Sequence, residues 1–228
     1  RHVDAGPPAF RRLVAKVPAD ARATFGFPAT AVPLKDALIA LDSLAAEELP
    51  WGVTQDELGA LDDAAAAEVA LLLGVGSGDG GADEAEALRL AAGPLCRDVL
   101  AGLDAAVAAP ASEPTLTLLS GHDTTVKPLL VALGVYDHKW PPFCACVVVE
   151  VLRRRRDDQL VCRVLYDGAT APAPAAAPEG PFYVVLEETY EAFRGRLAAV
   201  ALDADAWGEL CGGALEGGVE GGGDTFGP

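Results

Sequence analysis

The sequence predicts an α/β fold, and three of its features support that prediction. Residues 116–130 read as an apolar strand, a glycine turn and the first turns of an amphipathic helix. Upstream, apolar residues recur three or four positions apart over several stretches, which is typical of helices. Downstream, two β-branched runs flank a short charged stretch, which is typical of a hairpin. This order fits the second half of an α/β domain that carries a helical insertion.

The N-terminal segment 1–33 is predicted to be irregular, because five prolines interrupt it. A short helix from Phe10 to Lys16 is the one regular element expected there. The next segment, 34–108, is predicted to be helical, and its second helix begins with the capping box of Thr54 and Glu57. Gly93-Pro94 either kinks or divides the third helix. The three helices are predicted over residues 34–48, 54–73 and 83–108.

The segment 115–211 contains the predicted α/β elements, and the glycine-rich residues 212–228 are predicted to be a disordered tail. The charge run Arg153–Asp158 is typical of a solvated hairpin turn, and a dedicated anion-binding patch is the less favoured interpretation. The expected elements are a strand at 116–119, a helix from about 123 that Gly134 closes, strands at 144–152 and 159–166, and a helix at 186–202.

Composition narrows the possible partners. The 228 residues have a net charge of −17, which disfavours nucleic acid and anionic membrane surfaces as general partners. No run of about 18 apolar residues occurs, so stable membrane insertion is not expected. The chain begins with Arg1 and has no methionine, so we expect it to be the later part of a longer protein. The sequence does not indicate an oligomeric state.

The five cysteines are scattered, and an odd number leaves at least one thiol without a partner in the chain. Only Cys144 and Cys162 are placed as possible cross-strand neighbours. The cysteine pattern therefore leaves the cellular compartment open.

His122 and Asp123 lie at the predicted mouth of a helix, where ligands of α/β proteins bind. The unpaired N–H groups and the positive dipole end of such a helix suit an anion such as phosphate. An imidazole can donate a hydrogen bond to a phosphate oxygen, and a carboxyl group can protonate a departing alkoxide. The alternative is structural: Asp123 is then the N-cap of the helix and His122 is its neighbour.

Other site types have little support in the sequence. The three histidines (His2, His122 and His138) show no metal-ligand spacing, so neither a metal nor another cofactor is predicted. Motifs for a nucleophilic serine elbow or a P-loop do not occur. The run from Trp140 to Phe143 is predicted to form a rigid loop packed on the domain, with His138 in a structural role.

Several motifs together resemble the histidine acid phosphatases, and most of all the lysophosphatidic acid phosphatase branch of that family. The similarity extends over roughly residues 30–211, including Leu41–Glu47, Leu90–Leu95 and Val164–Gly168. Its most specific part is formed by Ser120-Gly121-His122-Asp123-Thr124-Thr125, Pro128-Leu129-Leu130, Ala132-Leu133-Gly134 and Asp137-His138-Lys139-Trp140-Pro141-Pro142-Phe143.

The resemblance implies the C-terminal part of a histidine-phosphatase-like α/β domain with a helical cap segment. It also implies a phosphomonoesterase that forms a phosphohistidine and uses no metal or other cofactor. His122 would bind phosphate and Asp123 would be the proton donor. The substrate would be a lysophospholipid such as lysophosphatidic acid or another small phosphomonoester, and mitochondrial, secretory and lysosomal locations would all be compatible.

The sequence departs from the family pattern in one respect. The family's Arg-His-Gly-x-Arg segment, which supplies the nucleophilic histidine and phosphate-binding arginines, does not occur in these 228 residues. Arg1-His2 matches only its first two letters, and we interpret that match as a coincidence. Two further hypotheses therefore stay open: a non-catalytic remnant that retains a binding surface, and a phosphatase acting on sugar or inositol phosphates.

Overall fold

The computed structural model describes residues 6–44, 48–75, 82–108, 116–167 and 183–215. The chain divides into two compact units. The first contains Arg1–Asp79 and Tyr136–Phe143, and the second contains Gly80–Val135 and Cys144–Pro228.

The described part of the first unit is helical. Its helices are α1 (Pro8–Lys16), α2 (Ala19–Phe25), α3 (Val32–Ser43) and α4 (Gln55–Leu72), with a 3-10 turn at Pro50–Gly52. The prediction of a single short helix before residue 33 is wrong, because α2 fits between two prolines and ends at Gly26 in the left-handed conformation (φ +67°). The capping box at the start of α4 is confirmed, since Thr54 and Glu57 exchange both hydrogen bonds.

Glu57 is the most deeply buried acid described in this unit, with 1% of its surface exposed. Its carboxylate accepts a hydrogen bond from the Lys16 ammonium at 2.7 Å and from the Thr54 amide at 2.9 Å. The Lys16 bond lowers the pKa of Glu57, and this effect outweighs the opposing desolvation. The capping box thus also joins α1 to α4.

The loop Tyr136–Phe143 packs into the first unit. Trp140 belongs to this unit's hydrophobic core, and the Lys35 ammonium lies 3.6 Å from the centre of its ring. Lys35 is 3% exposed and forms an ion pair with Asp36 at 2.7 Å. The attraction between a cation and an indole ring is stronger where water is excluded, so this contact helps to anchor the loop. The predicted packing of the Trp-Pro-Pro-Phe run is confirmed for Trp140 and Pro141, whereas Pro142 and Phe143 are exposed.

The described part of the second unit combines helices with an antiparallel sheet. Its elements are α5 (Ala82–Ala108), α6 (Asp123–Ala132), β1 (Val147–Arg154), β2 (Gln159–Tyr166), β3 (Tyr183–Thr189), α7 (Tyr190–Val200) and α8 (Ala204–Leu215). Helix α5 runs unbroken through Pro94 and packs against α6, α7 and α8. The mixture of helices and sheet is consistent with the predicted α/β class of a histidine-phosphatase-like domain.

The predicted hairpin is confirmed. β1 and β2 pair antiparallel from Val147 opposite Tyr166 to Arg154 opposite Gln159. Asp157 accepts hydrogen bonds from Arg154 at 2.9 and 3.0 Å, and Asp158 adopts the left-handed conformation (φ +57°). The charge run is therefore a hairpin turn whose aspartates neutralise part of its own arginine charge. Four of its six residues form the turn itself, since β1 extends through Arg154.

Two predictions at the C-terminal side are wrong. The helix expected from Leu186 begins at Tyr190, because Tyr183–Thr189 pairs with β2 as a third strand. Thr189 then caps α7 by accepting the Ala192 N–H at 3.2 Å. The tail expected after Cys211 overlaps helix α8, which extends to Leu215. The rest of that tail lies outside the described residues.

A cross-strand cysteine pair is also ruled out. Cys162 lies opposite Val151 and Glu188, whereas Cys144 precedes the first residue of β1. All five cysteines are free thiols.

The boundaries of the predicted segments differ from those of the two compact units. Segment 34–108 groups three helices, but α3 and α4 belong to the first unit and α5 to the second. The segment boundaries stay predictions. Among the described residues, no helix is both long and apolar enough to cross a membrane.

The core of the second unit lies between α5, α6 and α7 on one side and the sheet on the other. Beside this core, Asp104 of α5 accepts hydrogen bonds from the Tyr190 hydroxyl and from the Arg194 guanidinium, the latter at 3.0 Å. The hydrogen bond from Arg194 lowers the pKa of Asp104 most, and the hydrogen bond from Tyr190 lowers it further. Desolvation and the hydrogen bond to Asp104 raise the pKa of Tyr190 to about 12. This cluster ties α5 to α7.

We expect Gly93→Ala to destabilise the second unit. A methyl group at Gly93 would lie 2.9 Å from Leu202 Cβ and 3.0 Å from the Val200 carbonyl oxygen, where the backbone cannot easily move away. Overpacking of this kind costs about 1–3 kcal/mol. Gly102→Ala in the same helix is the control: nothing lies within 4 Å, so the free energy of unfolding should rise by about 0.5–1 kcal/mol. Urea unfolding followed by circular dichroism measures both, and equal shifts would contradict the packing of α5 on Leu202.

We expect the contribution of Asp104 to depend on pH. Because the pKa of Asp104 is lower in the folded chain, its stabilising effect is present above about pH 4, the ordinary value for aspartate, and is lost as pH falls through the lowered pKa. Asp104→Asn should therefore unfold at lower urea than the parent at pH 7, and this difference should shrink in acid. Asp98→Asn, at an exposed position of the same helix, should show little difference at any pH.

Candidate active site

The segment before the His-Asp pair differs from its prediction. Residues 116–122 form no strand, and Leu116, Leu118 and Leu119 are 82%, 83% and 61% exposed. Apolar β-branched sequence favours a strand, but a strand forms only where a neighbour supplies its hydrogen bonds. In the described part of the chain the only sheet is β1-β2-β3, and it does not include this segment. The expected buried strand at 116–119 is therefore wrong for this structure.

His122 and Asp123 lie together at the start of α6, as predicted. His122 is the N-cap residue in an extended conformation (φ −109°, ψ 169°), and Asp123 is the first helical residue. The structural alternative, in which Asp123 is the N-cap, is therefore not what the structure shows. His122 is exposed and Asp123 is half-buried, so both side chains can be reached from solvent.

The first turn of α6 fixes this pair by local hydrogen bonds. The His122 carbonyl accepts the N–H groups of Thr125 at 2.8 Å and Val126 at 2.9 Å. The His122 N–H donates a hydrogen bond to the Thr125 hydroxyl oxygen at 3.4 Å. Gly121 permits this return, because a methyl group there would lie 3.1 Å from Thr125 Cβ. Thr125 is thus a positioning residue that the sequence analysis did not single out, although threonine at this position of a helix start is a recognisable signal.

The sequence analysis expected unpaired N–H groups in the first turn of α6 to bind phosphate, but three of these N–H groups already have acceptors. The Thr124 N–H donates to Asp123 Oδ1 at 2.7 Å, and the next two amides donate to the His122 carbonyl. These three donors are used within the turn, so they are not free for an anion. Attraction of an anion here depends on the positive end of the helix dipole and on the His122 imidazole.

Helix α6 is held firmly behind the site. Leu130, Ala132 and Leu133 are buried, the last two in the core of the second unit. The helix ends at Ala132, and Gly134 closes it in the left-handed conformation (φ +70°), where a side chain would lie 3.0 Å from Arg196 Nη1. The predicted closure at Gly134 is confirmed. A helix packed along its length gives its first turn a fixed position, which a site for in-line chemistry requires.

Lys127 is a second residue that the sequence analysis did not single out. It lies one helical turn beyond Asp123 and is fully buried, at 0% exposure. Its side chain or backbone interacts with other groups of the chain. Lysine at a helix position normally reaches solvent, so no sequence pattern predicted its burial.

The other predicted features do not join this pair. His138 belongs to the first unit, where it is exposed, has a left-handed backbone (φ +64°) and lies 5.2 Å from the Tyr136 ring centre. His2 lies outside the described residues. Within the described ranges, then, His122 and Asp123 are the sequence-predicted site residues that the structure brings together.

Comparison with known proteins finds a family similarity for the segment that contains His122 and Asp123. Residues 78–167 match the model of the histidine phosphatase superfamily, branch 2. This segment of the chain is similar to the histidine phosphatase superfamily, branch 2. It contains α5, α6, β1 and β2, and therefore both His122 and Asp123.

Individual relatives agree with this assignment. A lysophosphatidic acid phosphatase type 6 from Bos taurus is 31% identical over 152 residues, which cover 64% of this chain and 34% of the relative. The Homo sapiens protein of the same name is 32% identical over 102 residues, 43% of this chain and 23% of the relative. A 2-phosphoxylose phosphatase 1 from Rattus norvegicus is 41% identical over 54 residues, 23% of this chain and 11% of the relative. The matched region spans about a third or less of each relative's length.

Proposed function

We propose that the protein containing this chain hydrolyses phosphomonoesters, with His122 binding the phosphoryl group and Asp123 donating a proton to the leaving oxygen. The observation that supports this most directly is the adjacency of an exposed imidazole and a half-buried carboxyl group on the first turn of a buried helix, within a segment similar to the histidine phosphatase superfamily. A ligand in front of this turn can contact both side chains.

The chemistry assigns the two residues different tasks. Negative charge on the phosphoryl oxygens persists throughout transfer, and a hydrogen-bonding imidazole beside the positive end of α6 stabilises it. Charge on the leaving oxygen develops only as its bond to phosphorus breaks, and Asp123 supplies the proton at that stage. His122 therefore supports binding and transfer alike, whereas Asp123 matters most for leaving groups that are poor without protonation.

The nucleophile of this reaction is not assigned to a residue of this sequence. Family resemblance calls for a histidine within Arg-His-Gly-x-Arg, and that motif does not occur in the 228 residues. The proposal of a phosphohistidine intermediate thus concerns the complete natural protein, in which His122 and Asp123 would form the acid side of the site.

For the substrate, we propose a lysophosphatidic-acid-like phosphomonoester. Its support is the set of relatives named lysophosphatidic acid phosphatase, which align over the longest stretches. Helix α3 adds no separate support for a lipid tail, because Leu34 and Leu38 of its apolar stripe are buried in the first unit's core. A sugar phosphate is the second candidate, favoured by the 41% identity to a 2-phosphoxylose phosphatase. Ratios of kcat/KM for the two substrate types distinguish them.

Leaving-group dependence tests the assignment of Asp123. In the complete natural protein, Asp123→Asn should lower kcat for an alkyl phosphate by about 10²–10⁴-fold, the usual contribution of a general acid. The loss should be much smaller for p-nitrophenyl phosphate, whose leaving group departs readily as an anion. His122→Ala should lower kcat/KM for both substrates by similar factors, because it removes an interaction with the phosphoryl group itself.

His138→Ala is the matched control, since it removes a second exposed histidine that belongs to the other compact unit. It should leave both rates within about twofold, as expected for a residue that does not stabilise the transition state. Equal losses on the two substrates for Asp123→Asn would contradict its role as acid. Complete absence of phosphatase activity in the natural protein would favour the non-catalytic alternative.

A further inference from the structure

Cys144 and Cys146 are two exposed cysteines separated by one residue, and neither belongs to the candidate active site. Both side chains are exposed, and both thiols are free. Ala145 between them is half-buried, and all three residues precede the first residue of β1. We propose that Cys144 and Cys146 form a dithiol modification site, at which a small-molecule disulfide closes a reversible disulfide bond within the chain.

The remaining cysteines contrast with this pair. Cys96 and Cys162 are both fully buried, at 0% exposure, and lie in the core of the second unit. Desolvation raises the pKa of each to about 11, so their reactive thiolate forms are scarce as well as inaccessible. Cys211 is partly exposed but lies far away in sequence, on α8. Selective reaction at Cys144 and Cys146 thus follows from access.

The spacing of Cys144 and Cys146 permits a disulfide bond, but that bond would be strained. Two residue steps of extended chain span at most about 7 Å between Cα atoms. A disulfide usually joins Cα atoms about 4.4–6.8 Å apart, so closure needs a bend. The backbone supplies one, since Cys144 lies in a turn with a left-handed conformation (φ +63°). Strained, exposed disulfides are the easily reduced ones, which makes this site suited to reversible modification rather than to permanent cross-linking.

Cys146 is held at the open end of the β1–β2 hairpin. Its carbonyl oxygen accepts the Asp167 N–H at 3.2 Å, one step beyond the last paired residues Val147 and Tyr166. Cys144 precedes this anchor and belongs to the turn. Closing the bond would therefore fix that turn against the end of the sheet, while β1 and β2 themselves need not change.

The reaction proceeds by two thiol–disulfide exchanges. The thiolate of one cysteine attacks a sulfur of the small disulfide, forms a mixed disulfide and releases one small thiolate. The second cysteine's thiolate then attacks the protein-bound sulfur, closes the Cys144–Cys146 bond and releases the second small thiolate. The two thiol protons pass to the released thiolates. The protein loses two electrons, and the small disulfide gains them.

Mass spectrometry of one peptide tests the proposal. Trypsin cleavage after Lys139 and Arg153 yields Trp140–Arg153, which contains Cys144 and Cys146 and no other cysteine. The folded chain is treated with oxidised glutathione, alkylated with iodoacetamide and digested without reduction. We expect this peptide to lose both alkyl groups and to be lighter than the dithiol form by two hydrogen atoms. Excess reduced glutathione should restore both alkylation sites.

Two variants separate this mechanism from ordinary surface oxidation. Cys144→Ser lacks the second thiol, so its Cys146 should retain the glutathione mixed disulfide. Cys211→Ser is the matched control and should form the Cys144–Cys146 bond as the parent does. Glutathione on the parent peptide without an internal bond would overturn the proposal. Bonds from this peptide to Cys211 or to a second copy would do the same, as would equal reaction at Cys96 and Cys162.

Discussion

The start of helix α6 is the constraint on which the candidate active site depends. Its hydrogen bonds make His122 the last extended residue and Asp123 the first helical one, so the chain changes direction between two side chains with different chemistry. Inside a regular strand, adjacent side chains would point to opposite faces. At this junction they can serve one ligand, because the turn places both at the same end of the helix.

The rest of the second unit keeps that junction in place. Helix α6 packs on α5, and α5 is joined to α7 through the cluster of Asp104, Tyr190 and Arg194. Gly93 allows α5 to lie directly against the chain at Leu202, whose N–H donates to the Gly93 carbonyl at 3.1 Å. None of these residues has a proposed role in chemistry. They stabilise the packing of helix α6, whose start holds the two proposed site residues.

Much of this could be predicted from sequence, because the signals are local. The capping box at Thr54, the closing glycine at Gly134 and the charged turn between two β-branched runs each specify a short piece of backbone through their own bonds. The position of His122 and Asp123 at a helix start follows from the same kind of signal. Which of the two residues is the N-cap needed the coordinates, because a shift of one residue in the helix start decides it.

Several of the failures share a non-local cause. Residues 116–119 have the composition of a strand, but no described segment pairs with them, and their leucines stay exposed. The predicted helix from Leu186 overlaps the strand Tyr183–Thr189, because no local sequence pattern indicates the pairing of this strand with β2. Lys127 is buried by packing that no local pattern encodes. Where structure depends on a neighbour distant in sequence, propensity alone gives the wrong element or the wrong exposure.

The central claim is that His122 contacts the phosphoryl group. Competitive inhibition by inorganic phosphate, measured in the complete natural protein, tests it most directly because phosphate has no leaving group to protonate. Loss of a hydrogen bond to a charged group costs about 1.5–3 kcal/mol, so His122→Ala should raise the phosphate inhibition constant by about 10–150-fold. His138→Ala should leave it unchanged. An inhibition constant for His122→Ala equal to that of the parent would contradict the claim.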